Sequence, residues 1–239
     1  MSIIRKYIPD FLTAMNLVCG LIAILFAFGG RPDTAFLMMI AAAVFDFSDG
    51  FAARALHSYS DMGKELDSLC DLVSFGVLPA VLLHLQMKSA SGDSWVCWIP
   101  LIVAVFSALR LAKFNVDERQ HSSFIGLPTP ASAMICAALC HYVYFNPGGV
   151  VAAWVSGKVF IPVLSVCLSA LMVCGIPMFA MKFHREDSRI VKGKRLALLA
   201  VALVSAVLCA AFGLTWSAAV LLIFAMYILM NVIFAIFRV

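Results

Sequence analysis

The sequence predicts an all-α integral membrane protein, a polytopic bundle of about eight transmembrane helices with both termini in the cytoplasm. Of its 239 residues, 64% are hydrophobic and only 13% are charged, and the mean hydropathy is +1.02. Soluble domains carry about a quarter of their residues as charged side chains, so most of this chain is expected to lie in lipid. A transmembrane helix needs roughly 20 apolar residues, and eight apolar stretches of about that length follow one another along the chain.

Polar or turn-forming residues separate these eight stretches. The first follows Arg5 and Lys6 and could pass for a secretory signal, but no clear small-residue cleavage site ends it and further apolar stretches follow. Pro79 should interrupt the third stretch, and Pro162 and Pro177 should kink the sixth, because proline removes a helical hydrogen bond. The approximate limits are 11–29, 34–56, 66–87, 95–114, 129–146, 155–181, 196–212 and 215–237.

The distribution of basic residues supports this topology. With the N-terminus inside, the outer side carries only Arg31, Lys88 and Lys158, and the other 14 of the 17 lysines and arginines lie on the inner side. Such an excess of cytoplasmic lysine and arginine is typical of membrane proteins. The same topology puts the end of the second helix and the start of the third at the cytoplasmic face.

Two pairs of aspartates lie at this junction. Asp46 and Asp49 are three residues apart and Asp67 and Asp71 are four apart, so each pair shares one face of a helix. The polar segment 56–65 can turn the chain, and two antiparallel helices would then present all four carboxylates to one point. Because an ionised carboxylate in lipid costs on the order of 3 kcal/mol, such a cluster needs cations to neutralise it.

The chemistry of the four carboxylates indicates which cations these are. Hard oxygen ligands suit Mg²⁺ or Mn²⁺ better than zinc or copper. Two divalent ions would balance four negative charges, and two ions roughly 4 Å apart are a recurring arrangement for phosphoryl transfer. The sequence therefore predicts a two-metal site at the cytoplasmic end of two neighbouring helices.

Small residues accompany the aspartates at Gly50, Ala53 and Gly63. They allow close packing of helices in a membrane, and they would equally leave room for a flat or phosphorylated ligand beside the metals. Arg54 follows Gly50 by about one helical turn. Its guanidinium could pair with a neighbouring carboxylate or with a phosphate of a substrate, and the spacing favours neither.

The complete pattern, Asp-x2-Asp-Gly-x2-Ala-Arg-x8-Gly-x3-Asp-x3-Asp, runs from Asp46 to Asp71 and resembles the signature of the CDP-alcohol phosphotransferase family at every fixed position. The resemblance implies a homodimeric enzyme of the inner membrane, with its active site facing the cytoplasm, in which an alcohol displaces CMP from a CDP-linked donor. It implies that the four aspartates hold two metal ions and that Asp71 also accepts the proton of the attacking hydroxyl. The nucleotide-binding residues that it implies are Asp49, Gly50, Ala53, Arg54 and Gly63.

Flanking segments are similar to the bacterial and archaeal family members that use serine. The similar segments are 8–20, 67–79, 110–115 and 124–131, and Asp10 departs from the pattern because asparagine is expected there. The resemblance implies CDP-diacylglycerol and L-serine as substrates. The resemblance covers most of residues 8–131. We predict a single membrane domain, 1–239, with catalytic helices over 8–146 that carry the signature and additional helices over 147–239.

A candidate pocket for the acceptor lies at the cytoplasmic end of the fourth stretch, at Arg110, Lys113 and Asn115. The serine carboxylate or a lipid phosphate requires a fixed cation, and a guanidinium can clamp either group through two hydrogen bonds. Arg110 and Lys113 could instead serve only as topology markers at the membrane edge.

Two other functional interpretations fit parts of the sequence. The signature does not exclude glycerol phosphate, inositol phosphate or choline as the acceptor in the same chemistry. A cation transporter could also carry acidic residues in its helices, but its carboxylates should be spread over the depth of the bilayer and accompanied by an internal repeat. Here the carboxylates cluster at one side, which favours the enzyme.

Overall fold

The computed structural model describes residues 3–116, 124–178 and 189–237, and within them the chain is almost entirely helical. The N-terminal half forms helices α1 (Ile3–Phe28), α2 (Pro32–Leu56), α3 (Asp61–Asp71), α4 (Leu78–Ser91) and α5 (Ile102–Val116). The remaining helices are α6 (Thr129–Phe145), α7 (Val150–Val155), α8 (Phe160–Val173), α9 (Arg189–Ala211) and α10 (Trp216–Phe237). A short antiparallel pair, β1 (Phe124–Ile125) and β2 (Pro177–Met178), joins the start of α6 to the end of α8.

Several of these helices are long and apolar enough to cross a membrane, so the protein is an integral membrane protein. In the described part of the chain, five segments meet this condition: Tyr7–Phe28, Pro32–Leu56, Asp61–Ser91, Trp95–Val116 and Trp216–Ile236. Three apolar helices are shorter, at Thr129–Phe145, Phe160–Val173 and Leu196–Ala211. The count of eight spans and the cytoplasmic position of both termini stay predictions.

The third predicted stretch is interrupted as expected, although the interruption is not a simple kink. Helices α3 and α4 are joined by a π-helical turn, Leu72–Val77, which ends two positions before Pro79. Proline has no N–H for an α-helical hydrogen bond, and a π-helical turn is a known local alternative to the regular ladder. Helix α3, the π-helical turn and α4 together form one helical segment of 31 residues, Asp61–Ser91.

The prediction of a single sixth helix over 155–181 is wrong. The chain forms the short helix α7 before Ser156 and begins α8 only at Phe160. Pro162 lies in the first turn of α8, where it does not kink the helix, because the N–H that it lacks would have no helical partner there. Helix α8 ends at Val173, and Pro177 lies in β2; residues 179–181 lie outside the described residues.

A tight turn between α2 and α3 brings the two aspartate-bearing helices next to each other along the chain. Helix α2 ends at Leu56 and is capped by His57, which adopts a left-handed conformation with φ 49°, and the N–H of Ser58 donates to the carbonyl of Ala53 at 3.1 Å. Ser60 caps α3 by accepting a hydrogen bond from the N–H of Gly63 at 2.9 Å. Because both helix ends are capped locally, only four residues separate the two helices.

Helix α1 packs along α2 and also against the segment that follows α3. A Cβ atom on Gly20 would lie 2.3 Å from Ser74 Oγ, so only glycine permits this approach of α1 to the π-helical turn. The Ser74 hydroxyl donates to the backbone carbonyl of Asn16 at 3.1 Å. These contacts hold α1 beside both aspartate-bearing helices.

Candidate active site

Three of the four predicted aspartates come together at the junction of α2 and α3. One carboxylate oxygen from each of Asp46, Asp49 and Asp67 lies within 4.8 Å of the others. Asp49 is buried and the other two are half-buried. Oxygens bound to one Mg²⁺ at about 2.1 Å lie roughly 3–4 Å apart, so a small adjustment would let these carboxylates close on a divalent ion.

Asp71 lies outside this group but borders the same cavity as Asp46 and Asp67. Only 9% of the residue is exposed, and its Oδ1 atom accepts a hydrogen bond from Asn16 Nδ2 at 3.0 Å. Among the described residues, no donor contacts its Oδ2 atom. The convergence of all four carboxylates is therefore partial, with three in one group and the fourth beside it.

Helix α1 supplies a polar partner to one aspartate of each pair. Thr13 Oγ1 lies 2.5 Å from Asp49 Oδ2 and 3.0 Å from the carbonyl of Pro9, and Asn16 contacts Asp71. Sequence reasoning did not assign Thr13 or Asn16 to the site. The available signal was two polar residues three positions apart in an apolar helix, since buried polar residues in a membrane need partners.

Two cavities, each with charged and polar side chains in its lining, flank the carboxylate group. The first, about 190 Å³, is bordered by Pro9, Asp10, Thr13, Asp49, Gly50, Ala53, Ser58, Tyr59, Ser60, Gly63, Lys64 and Asp67. The second, about 290 Å³, is bordered by Asp46, Lys64, Asp67, Ser68, Asp71, Arg110, Leu111, Phe114, Asn115, Pro128 and Pro130. Lys64 and Asp67 border both, so the carboxylate group lies where the two cavities meet.

The small residues in the first cavity have different structural roles. A Cβ atom on Gly63 would lie 3.0 Å from both Asp10 Oδ1 and Ser60 Oγ, so this glycine allows close packing of α3 on α1. At Gly50 the nearest contact would be Arg54 Nη1 at 3.6 Å, which leaves space beside the helix. Arg54 is exposed and forms no ion pair with any residue that the structure describes.

Arg110 is the charged side chain that α5 contributes to the second cavity. Only 7% of the residue is exposed, its Nη1 atom donates to Thr129 Oγ1 at 3.1 Å, and its guanidinium carbon lies 5.8 Å from the centre of the Phe114 ring. A buried guanidinium is unfavourable without polar or aromatic partners, and these contacts supply them. Its burial argues against a role as a topology marker alone.

The other two predicted pocket residues differ in position. Asn115 borders the second cavity and joins α5 to α3, because its Nδ2 donates to Ser68 Oγ and its carbonyl accepts from Lys64 Nζ, both at 2.9 Å. Lys113 is exposed and borders neither cavity. The structure thus brings Arg110 and Asn115, but not Lys113, to the carboxylates.

Apolar helices long enough to span a membrane, with a group of buried and half-buried carboxylates between two cavities, define an integral membrane protein with a candidate divalent-cation site. The sequence profile of the CDP-alcohol phosphatidyltransferase family matches residues 6–167, well over half of the chain, and includes every aspartate of the site. The chain belongs to this family. Helices α9 and α10 lie beyond the matched residues.

Relatives from bacteria and an archaeon bear one name, CDP-diacylglycerol--serine O-phosphatidyltransferase. The protein of Mycobacterium tuberculosis (strain ATCC 25618 / H37Rv) is 38% identical over 181 residues, which cover 72% of this chain and 61% of the relative. That of Methanocaldococcus jannaschii is 34% identical over 194 residues, 74% of this chain and 90% of the relative. That of Bacillus subtilis (strain 168) is 38% identical over 143 residues, 59% of this chain and 78% of the relative. The chain thus spans about three fifths of the length of the mycobacterial relative.

Proposed function

We propose that the protein transfers the phosphatidyl group of CDP-diacylglycerol to the hydroxyl of L-serine and releases CMP. The observation that carries this proposal is the group of Asp46, Asp49 and Asp67 oxygens beside a cavity that also contains Asp71 and Arg110. The names of the relatives support serine as the acceptor and CDP-diacylglycerol as the donor.

The donor set fits divalent metal ions. Asp46, Asp49 and Asp67, with Asp71 beside them, would hold two ions, and carboxylate oxygens favour Mg²⁺ or Mn²⁺. When bound, such ions neutralise charge on the pyrophosphate oxygens of the donor. The protein contributes the carboxylates and the hydrogen bond from Thr13 that orients Asp49.

The first cavity is proposed to bind the cytidine nucleotide of the donor. Asp49, Gly50, Ala53 and Gly63 border it, and four of the five residues that the family resemblance implies for the nucleotide therefore share one space. Arg54 lies next to Gly50 and has no described ion-pair partner, which favours contact with a donor phosphate over an internal salt bridge.

The second cavity is proposed to bind serine next to the reacting phosphorus. Asp71 Oδ2 takes the proton of the serine hydroxyl while the serine oxygen bonds to phosphorus. The bond between that phosphorus and the CMP oxygen breaks, and CMP leaves. Arg110 holds the serine carboxylate or a lipid phosphate, and Asn115 keeps α5 beside α3. Lys113 is exposed and borders neither cavity, so its position does not support a role in this pocket.

Product analysis tests this function directly. Purified protein with CDP-diacylglycerol, Mg²⁺ or Mn²⁺ and an equimolar mixture of serine, glycerol phosphate, inositol phosphate and choline should release CMP and form the serine lipid, identified by mass. A chelator should abolish CMP release, and added Mg²⁺ or Mn²⁺ should restore it, because uncompensated carboxylates would repel the pyrophosphate. A product from another alcohol would reject serine, and full activity in chelator would reject the metal site.

We also propose eight spans with both termini and the active site at the cytoplasmic face of the inner membrane, in a homodimer with catalytic helices over 8–146 and additional helices over 147–239. The excess of basic residues on one side supports the orientation. A cysteine at exposed Tyr59, in the turn between α2 and α3, should react with an impermeant thiol reagent in inverted vesicles only. One at exposed Asp93 should react in intact cells only, each compared with the parent chain. The reverse pattern would overturn the orientation.

A further inference from the structure

We propose that Asn16 is a positioning residue for Asp71, an inference that rests on the proposed function. Asn16 is completely buried, and its Nδ2 atom donates to Asp71 Oδ1 at 3.0 Å across 55 residues of sequence. A carboxylate that accepts a proton must present one oxygen to the reacting hydroxyl. The bond from Asn16 occupies Oδ1, which leaves Oδ2 as the oxygen for the substrate.

The backbone around this contact is fixed by a second link between the same parts of the chain. Ser74, three residues after Asp71, donates its hydroxyl to the backbone carbonyl of Asn16 at 3.1 Å. One turn further along α1, Gly20 approaches Ser74 so closely that a Cβ atom would overlap its hydroxyl. The contacts of Ser74 with Asn16 and Gly20 therefore fix the backbone of α1 at this point. They keep the side-chain amide of Asn16 next to Asp71 at the end of α3.

The orientation of the Asn16 side-chain amide also supports this positioning role. An ionised carboxylate only accepts hydrogen bonds, so the NH₂ group of Asn16 must face Asp71. Its Oδ1 atom is buried and accepts no hydrogen bond from the residues that the structure describes. A buried carbonyl without a partner is unfavourable, so the contact with Asp71 is the interaction that accounts for an asparagine at this position.

Asn16 and Thr13 serve different aspartates. Thr13 contacts Asp49, which belongs to the compact group of candidate metal ligands, whereas Asn16 contacts Asp71, which lies outside that group. Loss of Asn16 should therefore affect the proton-accepting step more than the binding of the donor. Preorganised orientation of a reacting group is a recognised contribution to catalysis.

Two variants of similar size test this inference. Asn16→Leu removes the donor, and Asn16→Asp replaces the NH₂ group with an oxygen that repels Asp71. We expect kcat for serine-dependent CMP release to fall by about 10- to 100-fold in both variants, with the KM values for CDP-diacylglycerol and serine within about threefold of the parent. The matched control is Asn231→Leu, which removes a buried asparagine of α10 whose Nδ2 donates to the carbonyl of Tyr227.

The outcomes separate this inference from the proposed function. A kcat no lower than that of Asn231→Leu, or a raised KM for the donor with unchanged kcat, would overturn the positioning role and leave the proposed function intact. If Asn16→Leu does not fold in detergent, the kcat and KM values of Asn16→Asp alone test the positioning role. If the parent releases CMP with another alcohol, the same comparison is made with that alcohol. If no alcohol supports CMP release, both proposals fail, because Asp71 then has no reaction to serve.

Discussion

Asp71→Asn should lower the turnover of serine-dependent CMP release by about 100- to 10,000-fold while leaving the affinity for CDP-diacylglycerol within about threefold. The amide has nearly the shape of the carboxylate, so the cavity that Asp71 shares with Asp46 and Asp67 should persist. The amide cannot take a proton from the serine hydroxyl. Initial rates of CMP release at saturating serine, together with equilibrium binding of labelled CDP-diacylglycerol, measure the two quantities separately.

The matched control for this prediction is Asp61→Asn. Asp61 lies in the first turn of the same helix, α3, and is exposed, so its loss should change turnover by less than about twofold. Saturating Mg²⁺ and Mn²⁺ should be used in both assays, since Asp71 is also a candidate ligand. Parent-like turnover in Asp71→Asn would reject Asp71 as the base.

Arg110→Ala should raise the KM for serine by roughly 10- to 100-fold, because hydrogen bonds to a charged group contribute about 1.5–3 kcal/mol. Its guanidinium is buried, is held by Thr129 and Phe114, and borders the same cavity as Asp71. Arg110→Lys should have an intermediate effect, because it keeps the charge and loses the two-point contact. Serine KM values measured at saturating CDP-diacylglycerol check this prediction.

Arg31→Ala provides the control for Arg110. Arg31 is exposed at the turn between α1 and α2, where it pairs with Asp33 at 3.1 Å, and its loss should leave the serine KM unchanged. A rise in the KM for CDP-diacylglycerol alone would assign Arg110 to the lipid phosphate. If neither KM changes in Arg110→Ala, the residue does not belong to the pocket.

Arg110 and Lys113 differ in burial, and the sequence alone does not predict which of the two is buried. Both are basic and lie on α5 three positions apart, so composition and charge treat them alike. Only the packing of α5 against its neighbours decides that Arg110 is buried beside Asp71 and that Lys113 is exposed. The sixth predicted helix failed for a related reason, because hydropathy does not distinguish one long apolar helix from two short ones with an extended segment.

The sequence by itself determined the membrane class of this protein, the interruption before Pro79 and the location of the aspartates on two consecutive helices. These features depend on composition and on spacing within a few turns, which act locally. Only the tertiary structure decided that Thr13 contacts Asp49 across 36 residues and that Asn16 contacts Asp71 across 55. Helical periodicity specifies which side chains share a face, but the partner of that face depends on how distant helices pack together.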